Sequence, residues 1–138
     1  MDGDVHLWGT VAVAFYLSSL LKGGNALEEA QVLQWVNLAE QEILPAVMSL
    51  SIKSASARAR QEVEKQLAAL NQLLLTRTYL VGEKVTLADI AVCCVLLPAF
   101  KKALDASTRS SYKNVMRWFN TIVQQPSVKS VIGDVTYH

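Results

Sequence analysis

The segment from Thr86 to Phe100 constrains the fold of this chain more than any other. It begins Thr86-Leu87-Ala88-Asp89 and continues without a polar residue from Ile90 to Phe100. The Thr86 hydroxyl can accept from the N–H three residues later, and the Asp89 carboxylate can accept from the Thr86 N–H, which is a capping box. The sequence therefore predicts a helix that starts after Thr86. Because this helix is apolar on every side, we expect it to be the enclosed member of a helical bundle.

Composition is consistent with one domain built around such a core. The chain has 138 residues, of which 51% are hydrophobic and 18% charged, and its net charge is +1. A chain of this size can bury roughly two thirds of its unfolded surface and needs no metal or disulfide to fold. A charge so close to zero argues against a surface that binds phosphate backbones.

The cysteines and the apolar segments give evidence on the cellular compartment of the protein. Cys93 and Cys94 are adjacent inside the apolar segment, so we interpret both as small core residues in a reducing environment, with a reactive thiol as the alternative. Val11 to Leu21 lacks the preceding positive charge that a signal peptide needs, and no segment approaches the length of a membrane span. We expect a cytoplasmic protein without membrane contact.

Helical periodicity dominates the rest of the chain, and no segment has a convincing strand pattern. The recurrence of apolar residues at three- and four-residue intervals predicts a long amphipathic helix with a kink near Pro45; these residues are Leu27, Ala30, Leu33, Val36 or Trp35, Leu38 and Ile43. Asp105, Ser107 and Thr108 supply capping side chains for a short turn. The other predicted elements are a helix over Thr10–Lys22, one carrying Val63, Leu67, Leu70 and Leu74, a turn at Gly82, a helix from Val115 to Val123 and a last turn over Ser127–Ile132.

Residues that could carry chemistry are few. The sequence contains no glycine-rich phosphate loop, no metal-ligand spacing and no nucleophile motif, so we predict no catalytic, cofactor or metal residues. We interpret Trp8, Trp35 and Trp118 as core residues, with a partner surface as the alternative. Arg117 interrupts an apolar segment, and it either faces water or binds a partner through its planar guanidinium.

Two motifs resemble a known family. Tyr79-Leu80-Val81-Gly82-Glu83-Lys84-Val85-Thr86-Leu87-Ala88-Asp89 resembles the entry to the central helix of glutathione S-transferase C-terminal domains. Asn114-Val115-Met116-Arg117-Trp118-Phe119 followed by Gln124-Gln125-Pro126 resembles the members associated with translation. The resemblance implies an all-α bundle of this type over residues 25–138. It also implies that residues 1–24 are a remnant of a thioredoxin-like domain, namely its last helix.

The translation-associated members include elongation factor 1 gamma and the domain appended to the N-terminus of valyl-tRNA synthetase. Leu96-Leu97-Pro98-Ala99-Phe100 with Leu104-Asp105, and the ending Val131-Ile132-Gly133-Asp134-Val135, favour the synthetase member. Trp8 and Gly9 stand where transferases of this family carry the polar pair that holds glutathione. The resemblance therefore implies a noncatalytic interaction domain without a cofactor.

In this family the helix that contains Arg117 packs against its counterpart on a partner. The resemblance thus implies Arg117, Asn114 and Tyr112 as interface residues, with other transferase-like domains or translation-complex subunits as partners and a homodimer left open. We expect the Arg117→Ala variant to weaken partner binding with little change in stability. Two weaker alternatives are residual glutathione binding and tRNA contact through Lys101, Lys102, Arg109, Lys113 and Arg117, against which the low net charge argues.

Overall fold

The computed structural model describes residues 24–50, 57–133 and Val135, and these ranges contain helices and turns without a strand. The predicted helix over Thr10–Lys22, Trp8 and Gly9 lie outside the described residues. The helices are α1 (Ala26–Leu38), a π-helical segment (Ala39–Ile43), α2 (Leu44–Leu50), α3 (Ala57–Leu73), α4 (Leu87–Lys102), α5 (Ala106–Ser110), α6 (Lys113–Val123) and α7 (Pro126–Ile132).

Helix α1, the π-helical segment and helix α2 follow one another without a break and form one long helix that is wider in the middle. Asn25 caps α1 by accepting the Glu28 N–H at 2.9 Å. Pro45 has no N–H to donate, and its ring would press on the carbonyl four residues earlier in a regular helix. The π-helical segment ends at Ile43, two residues before Pro45, and the Leu44 N–H that follows it donates to the Ala39 carbonyl. In place of the kink expected near Pro45, the helix therefore has a widened π-helical turn.

The side of α1 that faces the core agrees with the predicted stripe only in part. Leu27 is 68% exposed and Leu33 is 43% exposed, and Ala30 is exposed as well. The buried face carries Val32, Val36, Ala39, Ile43 and Val47, of which Val36 and Ile43 belong to the predicted stripe. Both sets have helical spacing, so periodicity alone cannot choose between them. The packing partner decides, and α1 presents its valine side to α4.

Helix α3 and the turn that follows it agree with the predictions from the sequence. Val63, Leu67, Leu70 and Leu74 are all buried. Gly82 lies in the turn with φ of +65°, a conformation that side chains with a Cβ rarely adopt. A Cβ at this position would also lie 3.0 Å from a carboxylate oxygen of Glu28.

Helix α4 is the centre of the bundle, as predicted, but it is not enclosed on every side. Val92, Leu96, Ala99 and Phe100 are fully buried. The opposite side is open to solvent, most of all at Cys94 and Pro98. The expectation that both cysteines are core residues is therefore wrong for Cys94 and correct for Cys93. Pro98 lies on the open side, where water can reach the carbonyl that the missing N–H leaves unpaired.

Thr86 and Asp89 adopt the capping-box arrangement at the start of α4. Asp89 Oδ2 accepts the Thr86 N–H at 3.0 Å, and the Asp89 N–H donates to the Thr86 carbonyl at 3.1 Å. The Thr86 hydroxyl lies 3.5 Å from Asp89 Oδ2. Both residues are buried, so the start of the helix is sealed from water.

Asp89 also binds two elements that the capping motif does not include. Its Oδ1 accepts the Leu80 N–H at 3.0 Å and the Trp118 indole N–H at 2.7 Å. One fully buried carboxylate thus joins the turn before α4, the start of α4 and the middle of α6. Trp118 is buried, as the core interpretation expects.

Apolar packing completes the contact between α4 and α6. The rings of Phe100 and Phe119 meet edge to face with centroids 4.7 Å apart. Val115, Ile122 and Val123 bury the rest of the inner side of α6. Among the helices of the described ranges, none is long and apolar enough to cross a membrane.

The first prediction tests the indole bond. Trp118→Phe removes the N–H from Asp89 Oδ1 and leaves space in the core, so we expect a loss of about 2–4 kcal/mol in the free energy of unfolding. Urea unfolding measures it. Trp35→Phe is the matched control because Trp35 is only partly buried; a loss at Trp118 no larger than at Trp35 would contradict the role of this bond.

The second prediction concerns pH. Burial raises the pKa of Asp89 above its ordinary value of 3.8, although the hydrogen bonds from Trp118, Leu80 and Thr86 oppose the shift. The folded chain therefore holds this proton more tightly than the unfolded chain, and the stability from this group decreases as pH rises from 3.8 through the raised pKa.

Asp89→Asn removes the titrating group and serves as the reference. We expect the free energy of unfolding of the wild type, measured relative to Asp89→Asn, to fall with increasing pH above about 4 and then to level off. Urea unfolding at several pH values gives this difference. A difference that rises with pH would mean that the pKa is lowered in the folded state.

Candidate protein-interaction site

The three predicted interface residues lie together at the start of α6. The structure places the Tyr112, Asn114 and Arg117 side chains against α3 and the turn that follows it. All three therefore have partners within the chain itself. Whether they also bind another protein stays a prediction.

Asn71 and Asn114 cap each other's helices. The Asn71 amide oxygen accepts the Asn114 N–H at 3.0 Å and the Val115 N–H at 3.3 Å, which are free donors in the first turn of α6. In return, the Asn114 side-chain amide donates to the Asn71 carbonyl at 3.1 Å, near the end of α3. The pair fixes the start of α6 to the end of α3.

Arg117 binds the carbonyl groups where α3 ends. Its Nη2 donates to the Leu74 carbonyl at 2.5 Å and to the Arg77 carbonyl at 3.0 Å, and its Nη1 donates to Asn114 Oδ1 at 3.4 Å. A cation at a helix C-terminus also favours the negative end of the helix dipole. We therefore no longer expect Arg117→Ala to leave stability nearly unchanged.

Tyr112 belongs to a second set of contacts further back along α3. Its hydroxyl donates to the Glu64 carbonyl at 3.5 Å. Arg60 donates to the Thr108 hydroxyl at 2.7 Å and forms an ion pair with Glu64 at 3.3 Å. Burial, followed by the nearby Glu64 charge, raises the pKa of Tyr112 above its ordinary value, while Arg60 opposes the shift.

These contacts form a continuous polar seam between α3 and the chain from residue 108 to residue 117. We define the seam by Arg60, Glu64, Asn71, Leu74, Thr108, Tyr112, Asn114 and Arg117. It leaves one side of α6 open to solvent, where Lys113, Arg117, Asn120 and Gln124 are exposed. Arg117 is the residue that belongs to both the seam and this open side.

Asn71 is the member of the site that sequence reasoning missed. The sequence predicts this helix from Val115, directly after Asn114, but α6 begins at Lys113 after Tyr112, whose side chain makes no cap. A helix that starts without its own acceptor needs one from another element. That missing acceptor was the signal that could have led to Asn71.

Metal-ligating side chains and the two thiols are the candidate reactive groups among the described residues. They contain no group of three or more His, Cys, Asp or Glu side chains that could hold a metal ion. Burial raises the pKa of Cys93 well above its ordinary range, with smaller contributions from Cys94 and Asp89. Burial also raises the pKa of Cys94. Both thiols are therefore protonated at neutral pH and poor nucleophiles.

The third prediction tests the asparagine pair. Asn71→Ala leaves two N–H groups of α6 without their acceptor, so we expect a loss of about 1–2 kcal/mol in the free energy of unfolding. Asn114→Ala should cost less, and a double-mutant cycle should show coupling of about 1 kcal/mol. Asn37→Ala on the exposed side of α1 is the control. Additive effects at Asn71 and Asn114 would show that the two side chains do not act as a pair.

Comparisons with known proteins agree with this architecture. The family model for the glutathione S-transferase C-terminal domain matches residues 35–126. Elongation factor 1-gamma of Artemia salina is 47% identical, over 89% of this chain and 31% of that protein. The Danio rerio protein of the same name is 44% identical, over 97% of this chain and 33% of its own length. The chain thus spans about a third of the length of these relatives.

Solved structures share the same fold. The GST-like domain of elongation factor 1-gamma from Saccharomyces cerevisiae superposes with a TM-score of 0.82 at 22% identity, covering 95% of this chain and 69% of that one. Glutathione S-transferase-I bound with lactoylglutathione gives 0.81 at 24% identity, covering 95% and 71%. From its bundle and from the family model, the chain belongs to the glutathione S-transferase C-terminal domain family.

Proposed function

We propose that this chain is the noncatalytic transferase-like domain of an elongation factor 1-gamma type protein, and that it binds other subunits of a translation complex. The identities of 47% and 44% to elongation factor 1-gamma support this assignment. The preference for the synthetase appendix, drawn from the segment around Pro98 and from the chain ending, finds no support in these relatives. A translation factor of this type also fits the expected cytoplasmic location.

The position of Arg117 is the observation that carries the proposed interface. Its Nη2 group donates to two carbonyls, and one of its two Nη1–H bonds donates to Asn114. The Nε–H and the second Nη1–H therefore have no partner among the described residues. The internal contacts hold the guanidinium in one orientation on an exposed helix face. A fixed donor loses less conformational entropy on binding than a mobile one. A partner carboxylate or carbonyl group is the natural acceptor.

The noncatalytic assignment rests on two points. The resemblance places Trp8 and Gly9 where the polar pair that holds glutathione would stand, and this stays a prediction because both residues lie outside the described ranges. The two thiols of the described residues have raised pKa values and offer no activated nucleophile. Titration calorimetry with glutathione tests the assignment, and saturable binding would contradict it.

The fourth prediction tests the interface. The tagged chain should enrich subunits of the elongation factor 1 complex, or aminoacyl-tRNA synthetases, from a lysate of its own organism, as identified by mass spectrometry. Arg117→Ala should reduce this enrichment severalfold because it removes the oriented donors. It should also lower the midpoint of thermal unfolding, since Leu74 and Arg77 lose their donor.

Asn71→Ala separates the two effects. This substitution weakens the same seam but leaves the exposed face of α6 as it is, so enrichment should remain near the wild-type level at a temperature where both variants are folded. Equal losses for Asn71→Ala and Arg117→Ala would show that stability alone explains the effect. Enrichment of no translation protein by the wild-type chain would contradict the proposed function.

A further inference from the structure

The charges of this chain are separated along the sequence, although its net charge is only +1. Residues 24–50, which form α1, the π-helical segment and α2, contain four glutamates and no lysine or arginine. Residues 106–133, which include α5, α6 and α7, contain four basic residues and no aspartate or glutamate. The four basic residues are Arg109, Lys113, Arg117 and Lys129. The small net charge therefore conceals a part of the molecule that is locally basic.

Lys113 and Arg117 have no counter-charge within the described residues, since neither forms an ion pair there. Asp105 is the acidic residue nearest to them along the chain, and its carboxylate accepts the Thr108 N–H at 2.9 Å, where it caps α5. The next acidic residue, Asp134, lies outside the described residues. A carboxylate that pairs with the two cations of α6 therefore has to come from another source.

The open side of α6 presents its polar groups in one line. Lys113, Arg117, Asn120 and Gln124 follow one another at intervals of four, three and four residues, which places them on the same side of the helix. All four are exposed. The line is about 16 Å long, and the Cβ atoms of the two cations are about 6 Å apart. The open side thus carries two cations at its start, followed by two amide side chains.

We propose that the open side of α6 binds an acidic protein surface, whose carboxylates pair with Lys113 and Arg117. The inference rests on the proposed function, because it names the chemistry of the partner at the same site. The carbonyls of Leu74 and Arg77 hold the Arg117 guanidinium, so its remaining donors have a fixed direction. Lys113 adds a second cation one turn earlier. Charge pairing of this kind selects the partner and speeds the encounter with it.

Two other sources of negative charge fit the open side less well. Proteins that bind nucleic acids commonly make about six to ten phosphate contacts, whereas this line carries two cations. A second copy that meets α6 face to face across a two-fold axis brings the same cations and no carboxylate. A second copy that offers the glutamates of residues 24–50 makes a head-to-tail contact, which grows into a filament unless the rotation closes. An acidic surface on a different protein has none of these disadvantages.

Zero-length cross-linking tests the pairing at Lys113. A carbodiimide joins an amine to a carboxylate in direct contact with it through an amide bond, and the reagent takes up the water that is lost. The tagged 138-residue chain is treated in a lysate of its own organism, and the joined peptides are identified by mass spectrometry. We expect Lys113 to be joined to Asp or Glu side chains of another protein severalfold more often than Lys65, an exposed lysine on α3. Lys113→Arg should retain that protein and lose this cross-link, because it keeps the charge without the amine.

Charge reversal gives a second measurement, with the protein identified in this way and then purified. Lys113→Glu should weaken its binding more than Lys113→Gln, because repulsion is added to the loss of attraction. Lys65→Glu, the same change of charge on α3, should bind nearly as well as the wild type. Binding by the wild type should also decrease as salt is added, since salt screens the exposed charges. Equal losses for the two Lys113 variants would contradict an acidic partner.

Each other outcome of the cross-linking overturns the proposal. Cross-links from Lys113 to glutamates of an isotopically labelled second copy would show that the chain itself covers α6. Loss of the cross-linked protein after ribonuclease treatment would show that nucleic acid connects the two. Lys113 cross-links no more frequent than those of Lys65 would show that no carboxylate surface lies on α6. The proposed function fails separately, when the protein joined to Lys113 is not a component of translation.

Discussion

The buried carboxylate of Asp89 is the interaction on which the rest of the bundle depends. It accepts N–H groups from Leu80, Thr86 and the Trp118 indole, all within 3.0 Å. A charge taken out of water is costly unless donors replace the lost solvation. Here the three donors come from three different parts of the chain, so the site is satisfied only when those parts are assembled. Fold specificity and helix initiation therefore depend on the same group.

A second polar system sets where α6 lies relative to α3. The seam uses side chains to satisfy main-chain groups that helix ends leave free: Asn71 at the start of α6, and Asn114 and Arg117 at the end of α3. Apolar packing supplies most of the driving force, but it is not directional and does not fix the helix ends. The seam supplies that direction. It also leaves Arg117 on the solvent side of α6, which links the internal arrangement of the bundle to the proposed partner surface.

Much of this fold follows from local sequence patterns, and the exceptions have a common cause. The start of α4, the stripe of α3, the turn at Gly82 and the end of α6 depend on neighbours within a few residues, which the sequence displays. The buried face of α1 could not be chosen in the same way, because Leu27 and Val32 belong to alternative stripes and α4 decides between them. The sequence could not show which side of α4 is open to solvent, because this helix is apolar on every side. The bonds to Asp89 from Leu80 and Trp118, and the role of Asn71, join residues that are distant along the chain.

Native-state hydrogen exchange of the Trp118 indole N–H is the most direct measurement of the central claim. If the Asp89 carboxylate holds the assembled bundle together, this proton, together with the Leu80 and Thr86 amide protons, should exchange only through global unfolding. All three should then report the same free energy of opening as the most protected core amides of α4. An indole proton that exchanges through a local opening, at a free energy far below the global value, would show that Asp89 does not link α6 to α4.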